Sequence, residues 1–138
     1  MRAFKLEILT PSGQSFSGDV TGIYLRTTDG AVGILAGHTD FLAGVTECTV
    51  KLIDADEKEQ YAYCGGGFFR VSEGEATLIA DEFVFAKDID EESLLAEIEE
   101  IHAQQAEAVD AVKSIFLTSR LGRLQAKQKT LAAYKENQ

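Results

Sequence analysis

From the N-terminus to about residue 86, apolar side chains recur at every second position. Phe4, Leu6 and Ile8 alternate with Lys5 and Glu7; Ile23 and Leu25 alternate with Tyr24 and Arg26. Cys48, Val50 and Leu52 alternate with Thr49 and Lys51, and Tyr61 and Tyr63 with Ala62 and Cys64. A period of two places one set of side chains on a core face and the other toward water or a second layer, which predicts strands. Most of the glycines lie in this half, where the chain must reverse. Asp29-Gly30 suits a tight hairpin, Ser72-Glu73-Gly74-Glu75 another, and the polar run Asp54 to Glu59 a looser turn. Short strands with frequent turns predict an antiparallel β-sandwich or barrel.

After Lys87 the period changes. No proline follows, and no glycine before Gly122. Asp90-Glu91-Glu92 offers an N-cap and an acidic first turn, which the positive end of a helix dipole favours. Leu94, Ile98, Ile101, Ala108, Val112 and Ile115 follow helical spacing, with Gln105 interrupting; a second stripe runs through Leu117, Leu121, Leu124 and Leu131. Some fifty helical residues on a small sandwich must fold back on themselves, so two helices are expected. Gly122, Asp110 and Thr118-Ser119 are equal candidates for the turn. The chain thus reads as an α+β protein: an N-terminal antiparallel β-sandwich over residues 1–87 and a C-terminal α-helical hairpin over residues 88–138.

Charge divides along the same line. Between Asp88 and Asp110 there are nine acids and no Lys or Arg, whereas from Val112 onward Lys113, Arg120, Arg123, Lys127, Lys129 and Lys135 face Glu136 alone. An acidic helix and a basic helix attract each other, but each exposed pair contributes only about 0.2–1 kcal/mol, weak enough to exchange for another acidic surface. The whole chain of 138 residues carries a net charge of −10, which argues against nucleic acid as a partner because phosphates are repelled. No apolar run approaches the roughly 18 residues of a membrane-spanning helix. The opening Met1-Arg2-Ala3-Phe4-Lys5 runs straight into strand-like sequence, so no signal peptide is expected. Two cysteines are too few for a disulfide framework and point to a reducing, cytosolic compartment.

Catalytic constellations are hard to assemble. His38 lies in Gly37-His38-Thr39-Asp40, where a hydrolase reading pairs it with Asp40 or a thiol, yet no matched nucleophile and base can be named. Cys48 and Cys64 fall on inward strand faces, read as small buried hydrophobes, and lack zinc-site spacing. Gly65-Gly66-Gly67 precedes a strand, not a helix, and lacks the Lys-Ser/Thr of a phosphate loop; a bulge or close sheet contact is the expected use. His102, among acids, reads as a surface residue. No cofactor, no metal and no catalytic residue are expected: the chain reads as a binding or coupling part.

The segment Gly30-Ala31-Val32-Gly33-Ile34-Leu35-Ala36-Gly37-His38-Thr39-Asp40-Phe41-Leu42-Ala43-Gly44-Val45 resembles the epsilon subunit of bacterial and chloroplast F-type ATP synthases. That family carries Gly-x-x-Gly-[Ile/Val]-[Leu/Tyr]-x-Gly-His-x-Pro-x-Leu at this point. Leu6-Glu7-Ile8-Leu9-Thr10-Pro11, Phe16-Ser17-Gly18, Gly65-Gly66-Gly67-Phe68 with Val71, Ala76-Thr77-Leu78 with Ala80-Asp81, and Asp88-Ile89-Asp90 agree in order and spacing. The resemblance implies a non-catalytic rotor subunit at the cytoplasmic face of a bacterial inner membrane. It would bind the gamma subunit and rest on the c-subunit ring, touching the membrane only through that ring. Gly33, His38, Phe41, Leu42 and Val45 are the implied gamma and c-ring contacts. The helical tail is implied to extend toward the alpha and beta subunits and to restrain ATP hydrolysis, with Arg120, Arg123, Lys127 and Lys129 meeting acidic beta-subunit segments. A stand-alone sandwich adaptor with a helical docking tail is the alternative.

Three departures from the family pattern matter. Asp40 replaces the usual proline and Ala36 another, which removes backbone constraints from the loop. Ala31 stands where an acid is frequent, removing one polar contact with the c ring. Some relatives bind ATP between the tail helices through Ile/Leu-Asp-x-x-Arg-Ala; here Ile89-Asp90-Glu91-Glu92 is followed by Ser93-Leu94, and the first helix has no cation to hold a triphosphate. Titration of the isolated protein with ATP, followed calorimetrically, is therefore expected to show no saturable micromolar binding.

Overall fold

The computed structural model describes residues 2–107 and 110–137. Nine strands come first: β1 (Phe4–Thr10), β2 (Gly13–Thr27), β3 (Gly30–Leu35), β4 (Phe41–Val45), β5 (Cys48–Asp54), β6 (Glu59–Cys64), β7 (Gly67–Ser72), β8 (Glu75–Ala80) and β9 (Phe83–Phe85). A 3-10 turn, Ala86–Asp88, leads into α1 (Glu91–Glu107) and α2 (Ala111–Glu136). The strands pair in the order β1-β8-β7-β4-β2-β5-β6-β9, with β3 on β2 and β1 also on β2. The fifteen-residue β2 closes the sandwich: its first half pairs with β1, its second half with β3 and β5. Register shifts at Ile8/Leu9 and Val20/Gly22 are the irregularities that let it bend. Among the described residues every pairing is antiparallel except β1–β8, which is parallel.

Strand alternation fills one core. Leu6, Ile8, Val20, Ile23, Ile34, Val50, Leu52, Phe69 and Leu78 are fully buried in it. The turns are made as their residue types require. Glu73 and Gly74 both have positive φ, 52° and 80°, joining β7 to β8, the backbone of a two-residue hairpin whose twist matches its strands. Asp40, in place of proline, accepts a 3.1 Å hydrogen bond from the Glu73 N–H, so the β3–β4 connection is tethered to that hairpin instead. Gly67 is forced by close approach: a Cβ there would lie 1.9 Å from the Ile79 carbonyl oxygen.

The helices have a separate core, a seam of Leu94 and Ile101 against Leu117, Leu124 and Leu131, with Ile98 and Leu121 half-buried beside it. The seven-residue spacing of these positions is that of knobs-into-holes packing. Asp90 caps α1, accepting from the Glu92 and Ser93 N–H groups and the Ser93 hydroxyl. Of the three candidate turn positions, Asp110 is the one used; its carboxylate accepts from the Val112 N–H at 2.9 Å. Gly122 and Thr118-Ser119 lie inside α2. The break restarts the helical phase, so Val112 and Ile115 leave the buried stripe and stand exposed; Ala108 lies outside the described residues.

The expected attraction between acidic and basic helices is only half of what holds the tail. Glu97 pairs with Arg120 at 3.2 Å, and Glu91 with Lys135. Arg123 and Lys127 instead reach down to the sandwich, where both grip Glu82, at 2.9 and 2.6 Å. The Lys127 ammonium also sits 5.5 Å from the centre of the Tyr63 ring, whose hydroxyl donates to Glu47 at 2.6 Å. A fully buried Thr130 completes the contact with a 2.8 Å hydrogen bond to Thr49 on β5. These residues explain why Tyr63 and Cys64, neighbours on opposite faces of β6, are both fully buried: one faces the core, the other lies beneath α2.

Burial alone would raise the Glu82 carboxyl, but Lys127 and then Arg123 outweigh it and hold it below the usual carboxylate range. A depressed folded-state value means the stabilisation is present at neutral pH and is lost as pH falls through that lowered value. Glu82→Gln is expected to loosen the docked tail by about 1 kcal/mol, or roughly five-fold faster exchange of the α2 amides at neutral pH. Hydrogen-exchange mass spectrometry checks this, and the difference from the parent protein should vanish in acid.

Candidate functional site

Phe41, Leu42 and Val45 lie on strand β4, and its alternation sorts these implied contact residues. Phe41, Ala43 and Val45 point inward; Leu42 and Gly44 point outward. Val45 is buried in the core, and Phe41 is half-buried against it. Leu42 is 70% exposed. Register carries the outward set across the sheet: Gly44 lies beside Phe68, Phe68 beside Ile79, and Ile79 beside Leu9. Leu42 lies beside Arg70 in the adjoining row. Phe68 is 62% and Ile79 54% exposed, so β4, β7 and β8 present a connected apolar face bordered by Arg70. Such a face on a small domain marks a protein contact. Phe68 and Ile79 were absent from the sequence-derived set. A signal existed, since consecutive Phe68 and Phe69 in a strand must point to opposite faces.

The other implied contacts surround the β3–β4 connection. Gly33 lies on β3 opposite Tyr24, whose ring roofs it; a Cβ at Gly33 would meet that ring at 2.6 Å. His38 follows a tight turn closed by its own N–H on the Leu35 carbonyl. Its Nδ1 contacts the Thr39 carbonyl oxygen at 2.8 Å and its ring packs edge-on to Phe41, 5.6 Å between centres. These are backbone and packing contacts that fix the loop; neither partner is a nucleophile. Among the described residues no group of His, Cys, Asp and Glu is placed to hold a metal ion, and no helix is long and apolar enough to cross a membrane.

The tail presents its cations in two settings. Arg123 and Lys127 are engaged by Glu82 and Arg120 by Glu97. Lys129 is exposed and has no ion-pair partner among the described residues. At the start of α2, Val112, Ile115 and Phe116 are 75%, 71% and 63% exposed, a turn-spaced apolar edge beside the exposed Lys113.

Comparison with known proteins agrees with this architecture. The family described as ATP synthase, Delta/Epsilon chain, beta-sandwich domain matches residues 3–86, which covers all nine strands. An ATP synthase epsilon chain, sodium ion specific, of Propionigenium modestum is 33% identical over 99 residues, 72% of each chain. The ATP synthase epsilon chain of Bordetella parapertussis is 29% identical over 126 residues, 91% of this chain and 90% of its own. In structure, a chain of the Euglena gracilis mitochondrial ATP synthase (OSCP/F1/c-ring) superposes with a TM-score of 0.69 at 20% identity, over 98% of this chain and 81% of that one. A chain from the Tetrahymena thermophila mitochondrial ATP synthase central stalk and c ring gives 0.57 at 13% identity, over 92% and 95%. At these identities the solved structures establish a shared fold, while the sequence matches establish descent. With its sandwich matched from end to end, the chain belongs to the epsilon-chain family of F-type ATP synthases, whose members are structural subunits and not themselves catalytic.

Proposed function

We propose that this chain is a rotor part of the central stalk, carrying torque between a c-subunit ring and the gamma subunit, with the sandwich as the coupling unit and the hairpin as a detachable regulator. The observation that carries the reading is the exposed apolar face of Leu42, Phe68 and Ile79 on β4, β7 and β8. It is assigned as the seat of gamma, because apolar side chains at the centre of a contact supply most of its binding energy. The nearby connection with Gly33 and His38 is assigned to the foot of the stalk, next to the c ring. Membrane association would then be peripheral, through that ring, at the cytoplasmic face of a bacterial inner membrane.

The tail's attachment supports the regulatory half. Among the described residues its polar contacts with the sandwich are two ion pairs to one glutamate, one cation–aromatic contact and one hydroxyl pair, each worth about 1 kcal/mol or less, set around the buried Tyr63 ring. An acidic beta-subunit surface offering similar partners would compete for Arg123 and Lys127, and for Arg120 and the exposed Lys129. Undocking would carry Val112, Ile115 and Phe116 outward as well. The exchange needs only a small free-energy difference between two states.

Two experiments test these assignments. Leu42→Glu and Phe68→Glu, at exposed sites, are expected to alter the melting free energy of the domain by no more than about 0.5 kcal/mol. Each should weaken association with purified gamma subunit at least about ten-fold. Unchanged gamma affinity with a native circular dichroism spectrum would refute the seat. Ending the chain at Asp88 is expected to leave a folded sandwich that still supports ATP synthesis in reconstituted vesicles, while raising ATP hydrolysis by the assembled enzyme. A truncated chain that fails to fold would refute the division into two units.

A further inference from the structure

Cys48 opens β5, Cys64 closes β6, and the two are direct partners in the antiparallel register. Opposed residues of such a pair have Cα atoms about 4.5–5.5 Å apart, within the span of about 4.4–6.8 Å that a disulfide accepts. Both side chains pack on the sandwich core, as do Val50 and Ala62 two residues further along. Both are free thiols. Their surroundings differ, however. Cys64 is fully buried. Cys48 is half-buried and lines a groove of about 460 Å³ where β2 and β3 part from β5. Arg26 and Lys51 also line this groove, with Tyr24, Gly33 and Glu47. Lys51 is already paired with Glu59 at 3.3 Å, so Arg26 is the cation the open groove offers to a small molecule bearing a carboxylate, beside Glu47.

We propose that Cys48 and Cys64 form a thiol–disulfide exchange site, in which Cys48 takes up half of a small carboxylate-bearing disulfide, glutathione disulfide being the probe, and Cys64 resolves the adduct into a cross-strand bridge. First the Cys48 sulfur bonds to one glutathione sulfur, the glutathione S–S bond breaks, and one glutathione leaves as thiolate. Then the Cys64 sulfur bonds to Cys48 Sγ and releases its proton, which the second glutathione takes as it leaves as thiol. The two cysteines lose two electrons and the glutathione disulfide gains them.

The division of roles follows from the electrostatics of the pair. A hydrogen bond from the Cys64 thiol, a backbone hydrogen bond at Arg26 and the Arg26 guanidinium pull the Cys48 thiol down to about 7, against burial and the Glu47 carboxylate. The same hydrogen bond and burial push Cys64 up, so it keeps its proton until attack. Cys48, the less buried of the two and the one whose thiol is held low, is therefore the nucleophile, and Cys64 the resolving thiol. A bridge here would tie together β5 and β6, the strands on which α2 lies.

The test uses the reduced full-length protein, incubated with glutathione disulfide at neutral pH and read by intact-mass spectrometry. The parent protein is expected to end two hydrogens lighter, with no glutathione attached. Cys64→Ala is expected to hold one glutathione on Cys48, and Cys48→Ala to react at least roughly ten-fold more slowly than Cys64→Ala. A parent protein that stays a dithiol or keeps glutathione overturns the proposal. So does a Cys64→Ala variant that stays unmodified, or a Cys48→Ala variant that reacts as fast. Alkylation of the native parent protein by iodoacetamide needs no variant: it should map to Cys48, with a midpoint below the ordinary cysteine value of about 8.5. A midpoint at or above that value, or alkylation at Cys64, refutes the assignment.

Discussion

Everything distinctive in this molecule follows from one constraint: a strand's side chains alternate, and a single small core can bury only one of its faces. In β4, β7 and β8 the inner set, with Val45, Phe69, Val71, Ala76 and Leu78, fills the sandwich. The outer set is then left without cover, and Leu42, Phe68 and Ile79 are apolar all the same. In β5 and β6 the same problem is solved differently, since α2 lies across their outer face and buries Tyr63 and Thr130. One layer is closed by the chain's own tail; the other is closed by none of the described residues. A family whose members assemble into a rotary complex has use for both arrangements.

The balance of energies differs sharply between the two cores. Burying one large apolar side chain contributes about 1.5–3 kcal/mol, and the sandwich buries eleven Leu, Ile and Val residues and three Phe. The interface between tail and sandwich buries far less, chiefly the Tyr63 ring, and adds a small set of polar contacts around it. Glu82 is the pivotal acid, because it answers two cations with one carboxylate and sits immediately before β9, on the sandwich rather than on α1. Its position also redirects the basic helix. It draws Arg123 and Lys127 toward the sandwich, so the hairpin is tied to its base as well as to itself.

Much of this was legible in the sequence, and the reasons for the rest are physical. The period-two segments, the hairpins at Asp29-Gly30 and Ser72 to Glu75, and the acidic N-cap at Asp90 are local signals and appear where they were read. The heptad spacing of Leu117, Leu124 and Leu131 likewise maps onto the buried seam. What failed was phase across a break. Val112 and Ile115 continue the α1 spacing on paper, but Asp110 starts a new helix and rotates them into solvent. Strand alternation likewise sorts the implied contact set around Phe41: it turns Val45 into the core and leaves Leu42 the most exposed of the three. Glu82 and the pairing of Cys48 with Cys64 were invisible because they depend on which strands become neighbours.

Thr130 fixes how the tail must sit. It is fully buried, and its hydroxyl meets Thr49 while lying four residues from Ala126 and from Tyr134 along the helix. Sliding α2 by one turn would therefore place either a methyl group or a phenol ring opposite the Thr49 hydroxyl. Either placement would break the Thr130–Thr49 pair. The docked helix therefore has one favoured register on the sheet, like a key cut for a single notch.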